Sequence, residues 1–289
     1  VDNITAANSN NISGTTTLTA NGGTSAVTFQ TAASTFNTLA VNASDGVNLN
    51  IGLTTDTGGI TVDADTDQPD ASGTFAVADG VTVNTGGQAL QITANDVNLN
   101  TTGALNSGAS ATTIIDSDGT GIGLGDTAVA GGITISGAEL QNIAATGLTL
   151  QTAGSITVDN ITAANSNNIS GTTTLDATGS ISFSTAASTF NALDAQADDR
   201  ISVNVGVTTD TGDLALDGDA DNAADVNDDI QIVDGVTLDS ANALTLDATT
   251  GGIHGAGALI LTAQEGVTIN DALTVADTVY IDGDTGGTA

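Results

Sequence analysis

The sequence predicts an all-β chain folded as a single-stranded parallel β-helix, a solenoid of about thirteen rungs of roughly 20 to 25 residues each. Three observations lead there. Short runs of Val, Ile, Leu and Ala alternate with polar residues at period two, the pattern of a strand with one buried face. Asp, Asn and Gly separate the runs, and these are turn residues. The strand-turn-strand unit returns at the spacing of solenoid repeats, far more often than a whole domain would. No sustained i, i+3, i+4, i+7 stripe marks a helix, and Thr, Gly, Asn and Asp are poor helix interiors.

The chain opens on VDNITAANSNNISGTTTL, Val1 to Leu18, and the same stretch returns unchanged from Val158 to Leu175. It is too polar for a core strand and reads as the strand end and long turn of one rung, displayed once per long repeat. TAASTFN at Thr31 returns at Thr185, TTDTG at Thr54 returns at Thr208, and DGVTV at Asp79 faces DGVTL at Asp234. Residues 1–157 therefore form a first long repeat, and 158–289 a second, truncated one within the same continuous β-helix. Inside each repeat lies a shorter unit, an alternating strand, a Gly or Asp turn and a second strand. It reads LAVNASDGVNLN at Leu39, LQITANDVNLN at Leu90, LTLQTAGSITV at Leu148, LDAQADDRISV at Leu193 and LILTAQEGVTI at Leu259. ITVDAD at Ile60 and LALDGD at Leu214 fall between these copies. A β-sandwich array is the alternative architecture. Five Phe, one Tyr and no Trp leave too few large side chains to fill two packed sheets, but they suit a thin interior.

Charge narrows the function classes. One Lys or Arg (Arg200) stands against 34 acidic residues, a formal charge of −33, so basic-patch binding to nucleic acid or anionic membranes is excluded. Cations are the natural partners. No apolar run reaches the ~18 residues of a membrane helix, and the absence of Cys gives no disulfide framework. The chain starts inside a repeat without Met and ends on DGDTGGTA without a capping element, which reads as a segment of a longer polypeptide.

LTLQTAGSITVDNITAAN, LDAQADDRISVNV and LTLDATTGGIHGAGALILTAQEGVTI resemble the repeat regions of the filamentous-haemagglutinin-like family, very large secreted or surface-tethered bacterial proteins. The resemblance spans nearly the whole chain and is one of repeat style. It implies a right-handed parallel β-helix forming a fibrous, often adhesive stalk at the bacterial outer surface or outside the cell. No functional residue is carried over, because the family's repeats are defined by packing positions.

Two Asp clusters occupy equivalent places in the two repeats. In DGDADNAADVNDD, Asp217, Asp219, Asp221, Asp225 and Asp228 fall at ligand positions one, three, five, nine and twelve of a calcium loop. Asn222 stands where an EF-hand needs Gly, and Asp228 replaces the bidentate Glu. In DADTDQPD, Asp63, Asp65 and Asp67 give a shorter version interrupted by Pro69. Both are read as calcium candidates, with solvated turns as the alternative. DSDGTGIGLGD at Asp116 and DGDTGG at Asp282 are lesser versions.

Enzymatic readings rest on Asp198–Asp199, Asp228–Asp229 and His254, which lies between glycines in an expected turn. Paired carboxylates alone, without cationic groups to hold an acidic sugar, favour a non-catalytic chain. A Thr-lined face for ice or carbohydrate, and the sequons at Asn3, Asn11, Asn160 and Asn168, complete the surface features. The expected role is a structural and adhesive fibre segment that requires no cofactor, with calcium optional. Its expected partners are further repeats of the same polypeptide, neighbouring rods, cell-surface glycans or divalent cations. A calcium-dependent matrix or surface-layer filament protein is the alternative, and a β-helical carbohydrate-active enzyme the third reading.

Overall fold

A computed structural model describes residues 1–68, 72–224 and 227–287. Strand occupies 48% of the chain and helix 5%, so the molecule is all-β. Every ladder between the described strands is parallel. Each strand bonds to the equivalent strand of the next turn of chain, which makes the fold a parallel β-helix.

One face is an unbroken sheet of eleven strands, from Thr16–Ala20 to Gly266–Ile269. The second face carries a four-stranded and an eight-stranded sheet, and the third two five-stranded sheets. Among the described residues the first face shows eleven rungs against the expected thirteen, because three rungs are long. Those from Ile60 to Leu90 and from Leu214 to Leu244 contain the Asp loops, and that from Ala111 to Gly147 contains an additional strand and a helix. At the ~4.8 Å spacing of paired strands the rod is about 50 Å long. The sheet crosses the junction of the two long repeats without a break, since Gly147–Thr152 pairs with both Ala111–Asp116 and Thr172–Ala177.

Alternation builds the core. Leu39, Val41 and Ala43 point inward while Ala40 and Asn42 face out. In register, Val41, Val62, Ile92, Ile114, Leu150 and Leu175 stack in one buried column. Each such side chain contributes about 1.5–3 kcal/mol by leaving water. Phe29, Phe75, Phe183 and Phe190 fill the wider parts of the interior. At the corner after the first face the inward column narrows to Ala43, Ala64, Ala94, Ala177 and Ala197. Asp116 and Thr152 interrupt it together, with the Thr152 hydroxyl donating to Asp116 Oδ2 at 2.7 Å.

On the outer side of the first face, amides interleave with acids along Gln151, Asp176, Gln196, Asp217, Asp247 and Asn270. Gln151 donates to Asp176 at 2.8 Å, and Asn270 to Asp247 at 2.7 Å. Such neutral donors between carboxylates help a chain of charge −33 stack tightly. Arg200 supplies the one ion pair among the described residues, reaching Asp229 of the next rung at 2.5 Å. Both side chains are partly solvated, so Arg200→Gln is expected to lower stability by about 1 kcal/mol or less, measured as the shift of the urea midpoint.

Three short helical turns depart from the helix-free expectation: α1 (Ala6–Ser9), α2 (Gly137–Gln141) and α3 (Ala163–Ser166). Each begins with a capping contact. Ser136 and Glu139 satisfy each other's backbone N–H groups at α2, whereas at α1 and α3 the Asn8 and Asn165 Oδ1 atoms accept the backbone N–H and hydroxyl of Thr5 and Thr162. Before α2, the strand Ile133–Ile135 folds back beside Ile122–Gly125, on the side opposite Ile156–Asp159. Thr134 N donates there to Asp96 Oδ1 at 3.3 Å.

Candidate functional site

The two Asp loops share one local structure. Asp63 Oδ1 accepts the Asp65 N–H, and Asp217 Oδ1 accepts the Asp219 N–H, both at 3.1 Å. These side-chain turns rotate the chain round the corner, so the middle acid of each triplet points into the rod. Asp65 and Asp219 are each 1% exposed, Asp63 and Asp217 are half-buried, and Asp67 and Asp221 face solvent. The three acids, at positions one, three and five, thus take three different depths. Asp225 lies outside the described residues, as do Pro69 and Asp70. Among the described residues no three acidic or His side chains gather as a metal-ligand set.

Register adds Thr250 to two acids that sequence spacing already places in one loop, Asp219 and Asp228. Asp228, which directly precedes the strand Asp229–Ile232, is 5% exposed. It meets Asp219 through Thr250 of the next rung: the Thr250 N–H donates to Asp219 Oδ2 at 2.6 Å, and its hydroxyl to Asp228 Oδ2 at 2.9 Å. Asp219 Oδ1 is buried with no hydrogen-bond partner. Thr250 carries no sequence signal of this role, because only the pairing of Asp229 with Gly252 sets its position.

Around this corner the carboxyls repel one another. Burial pushes the Asp217 carboxyl above the ordinary value, with the backbone N–H of Asp219 opposing and the charges of Asp247, Asp219 and Asp194 adding. Asp198 is raised by burial and then by the charges of Asp221, Asp176, Asp199 and Asp219. Asp194 is raised by burial against a hydrogen bond from Gln196.

At the equivalent corner of the first repeat, Asp65 Oδ2 accepts the Ser117 hydroxyl at 2.6 Å and Asp118 Oδ2 accepts the Asn95 amide at 2.5 Å. DSDGTGIGLGD is therefore a strand end and turn: Asp116 points inward and accepts the Gly121 N–H at 2.7 Å. In the last rung, Asp282 Oδ1 accepts the Asp284 N–H at 3.1 Å, a turn of the same kind.

The residues considered for catalysis take the following places. Asp229 pairs with Arg200, Asp228 holds Thr250, and Asp198 and Asp199 are half-buried at a turn. His254 lies in the strand Gly252–Gly255 rather than in a turn, exposed between Gln231 and Thr274. It borders a surface groove of about 190 Å³ together with Ser202, Asn204, Gln231 and Val233. Thr61, Thr113, Thr149, Thr174, Thr245 and Thr268 share one outward column, which Gln91, Asp194 and Ala215 interrupt.

The duplicated stretch is found in two states. In the second copy it lies on α2: Asn165 Nδ2 donates to Gly137 O at 2.9 Å and Asn168 Nδ2 to Gln141 O at 2.5 Å. Ile169 there is 0% exposed, whereas the same residue of the first copy, Ile12, is 46% exposed. Leu175 and Ile161 are buried, and their counterparts Leu18 and Ile4 only partly so. On the opposite side the copies agree, since Asn37 donates to Ile12 O and Asn191 to Ile169 O, both at 2.7 Å. The stretch is thus a stacking surface in the second copy, rather than only the surface display expected of it.

Fold and surface together define a parallel β-helical solenoid. No family model matches the chain, and neither a curated protein nor a solved structure does. Among the described residues no helix is long and apolar enough to cross a membrane.

Proposed function

We propose that this chain is a structural and adhesive rod segment of a giant fibre at the bacterial outer surface or outside the cell. The observation that carries the reading is the duplicated stretch. The identical residues occur twice, and in mid-rod they seal against α2 through Asn165 and Asn168 with Ile169 buried, so the repeated stretch serves as a contact between successive rungs. The repeat style shared with filamentous-haemagglutinin-like stalks supports it, and so does the use of acids and polar side chains in stacking roles. The chemistry of such a segment is length, stiffness and a repeated surface rather than turnover.

Placing a further copy of residues 1–157 ahead of Val1 tests the stacking. That repeat contributes the six main-face strands from Thr16–Ala20 to Gly147–Thr152, so the rod is expected to lengthen by about 29 Å at 4.8 Å per rung. The interior Ile12 is then expected to become as sensitive as Ile169. Ile12→Asp is expected to be tolerated in the parent chain and to destabilise the extended one by several kcal/mol. Equal tolerance in both chains would sink the stacking. Adhesion is read separately, as retention of the rod on immobilised cell-surface glycans, and absence of retention leaves a stalk without adhesive character.

A further inference from the structure

We infer that Asp219 and Asp228, clasped by Thr250, form a binding site for one hard divalent cation of the calcium class. The inference is independent of the fibre reading. A row of acids on a loop carries nothing by itself; here the two carboxylates come from opposite ends of the loop and converge on a single residue. Thr250 holds one oxygen of each, through its N–H at 2.6 Å and its hydroxyl at 2.9 Å. Asp219 and Asp228 are 1% and 5% exposed. The second oxygen of Asp219 is buried with no hydrogen bond. A buried ionised oxygen without a donor is costly, and it is stabilised by a proton, a water molecule or a cation.

The chain has little of its own to offer. Its single Lys or Arg is Arg200, and that guanidinium is engaged by Asp229 and Asn227. Asp217, Asp221 and Asp198 surround the corner and add negative potential, which favours a divalent ion over a lone proton. The donors are all oxygens. Calcium accepts irregular sets of six to eight oxygens, whereas magnesium demands near-octahedral geometry and dehydrates reluctantly. Two carboxylates completed by water and backbone carbonyls match a site of about 0.1–1 mM affinity, the range of extracellular calcium modules. The first repeat lacks the second carboxylate, because Gly73, directly before the strand Thr74–Val77 that pairs with Val47–Leu49, takes the place that Asp228 has before Asp229–Ile232.

The test is calcium binding to the intact chain by equilibrium dialysis at pH 7 and fixed ionic strength, alongside Tm. The parent is expected to gain about 5 °C at a hundredfold excess of calcium over Kd, with magnesium giving less. Asp219→Asn and Asp228→Asn are each expected to lose one equivalent of bound calcium and that part of the Tm gain, while Asp221→Asn, at an exposed position, keeps both. Either Asn variant retains the hydrogen-bonding shape of the acid, so the pair guards against misfolding of one. If both variants bind as much calcium as the parent with the same Tm gain, the cations form a diffuse atmosphere around the acidic rod and the site is overturned. If the parent binds no calcium and Asp219→Asn alone raises its Tm, Asp219 carries a proton, and the site is equally overturned.

Discussion

Replacing Leu150 with Asp is expected to split one melting transition of the rod into two. Leu150 is fully buried on the central face, stacked between Ile114 of the rung before and Leu175 of the rung after. Truncation alone, as in Leu150→Ala, is expected to lower stability by about 2–5 kcal/mol. The carboxylate adds an uncompensated buried charge, several kcal/mol more, in a stretch of core lined by Leu, Ile and Val. In a solenoid each rung touches only its neighbours, so cooperativity is carried by nearest-neighbour interfaces. Damage at Leu150 weakens the two interfaces that join the repeats and leaves the others intact. Calorimetry is expected to resolve two endotherms for Leu150→Asp and one lowered endotherm for Leu150→Ala. Hydrogen exchange is expected to show Gly147–Thr152 losing protection while Leu39–Ala43 keeps it. A single shifted transition for Leu150→Asp would mean that cooperativity spans the rod by a longer-range route.

The parts of this architecture that follow local rules are the ones legible in the sequence. LAVNA at Leu39 and LILTA at Leu259 alternate along their length and form strands with alternate residues buried. The rung count is less legible because it depends on where the chain lingers between strands. The Asp loops and the excursion from Asp126 to Thr146 consume residues without adding a rung to the main face. The helical turns do have a local signal. Ser136 and Glu139 form an S-x-x-E capping box, and in T-x-x-N at Thr5 and Thr162 the Asn side chain makes the backward half of one, but four or five residues are too short for a helical stripe. The acidic corner is legible only in part. Sequence spacing marks Asp217, Asp219, Asp221, Asp225 and Asp228 as one ligand row, whereas the side-chain turn at Asp217 sends Asp219 inward and leaves Asp221 outside. The partnership of Asp219 with Asp228 through Thr250 depends on the register of the next rung, which no local pattern encodes.

Lowering the pH from 7 toward the ordinary carboxylate range of about 4 is expected to stabilise this protein, the reverse of ordinary acid denaturation. Burial pushes the carboxyls of Asp96, Asp194, Asp198 and Asp217 above the usual carboxylate value. At Asp96 the N–H groups of Thr134 and Val97 oppose the shift and the charge of Glu139 adds to it. A carboxyl whose value in the folded state exceeds that in the unfolded chain binds its proton more tightly when folded. Its favourable contribution is complete below the unfolded value of ~3.9 and is lost as pH rises through the folded value. Between those limits, falling pH adds stability. Partial exposure of these groups discounts each contribution, but all four act in the same direction. Relief of the −33 charge reinforces them, most strongly at low ionic strength, where screening extends over more than the ~8–10 Å of physiological salt. The expected result is a Tm that rises as pH falls from 7 toward about 4, with the difference shrinking as salt is added. Asp96→Asn and Asp194→Asn are expected to raise Tm at pH 7 and to flatten its pH dependence, because each fixes one of these positions in its neutral form. A Tm that falls steadily from pH 7 to about 4 in the parent chain would show that hydrogen bonds to carboxylates, such as those Thr250 gives Asp219 and Asp228, outweigh burial and repulsion. The sign of the pH dependence therefore decides which of the two holds the acidic rod together.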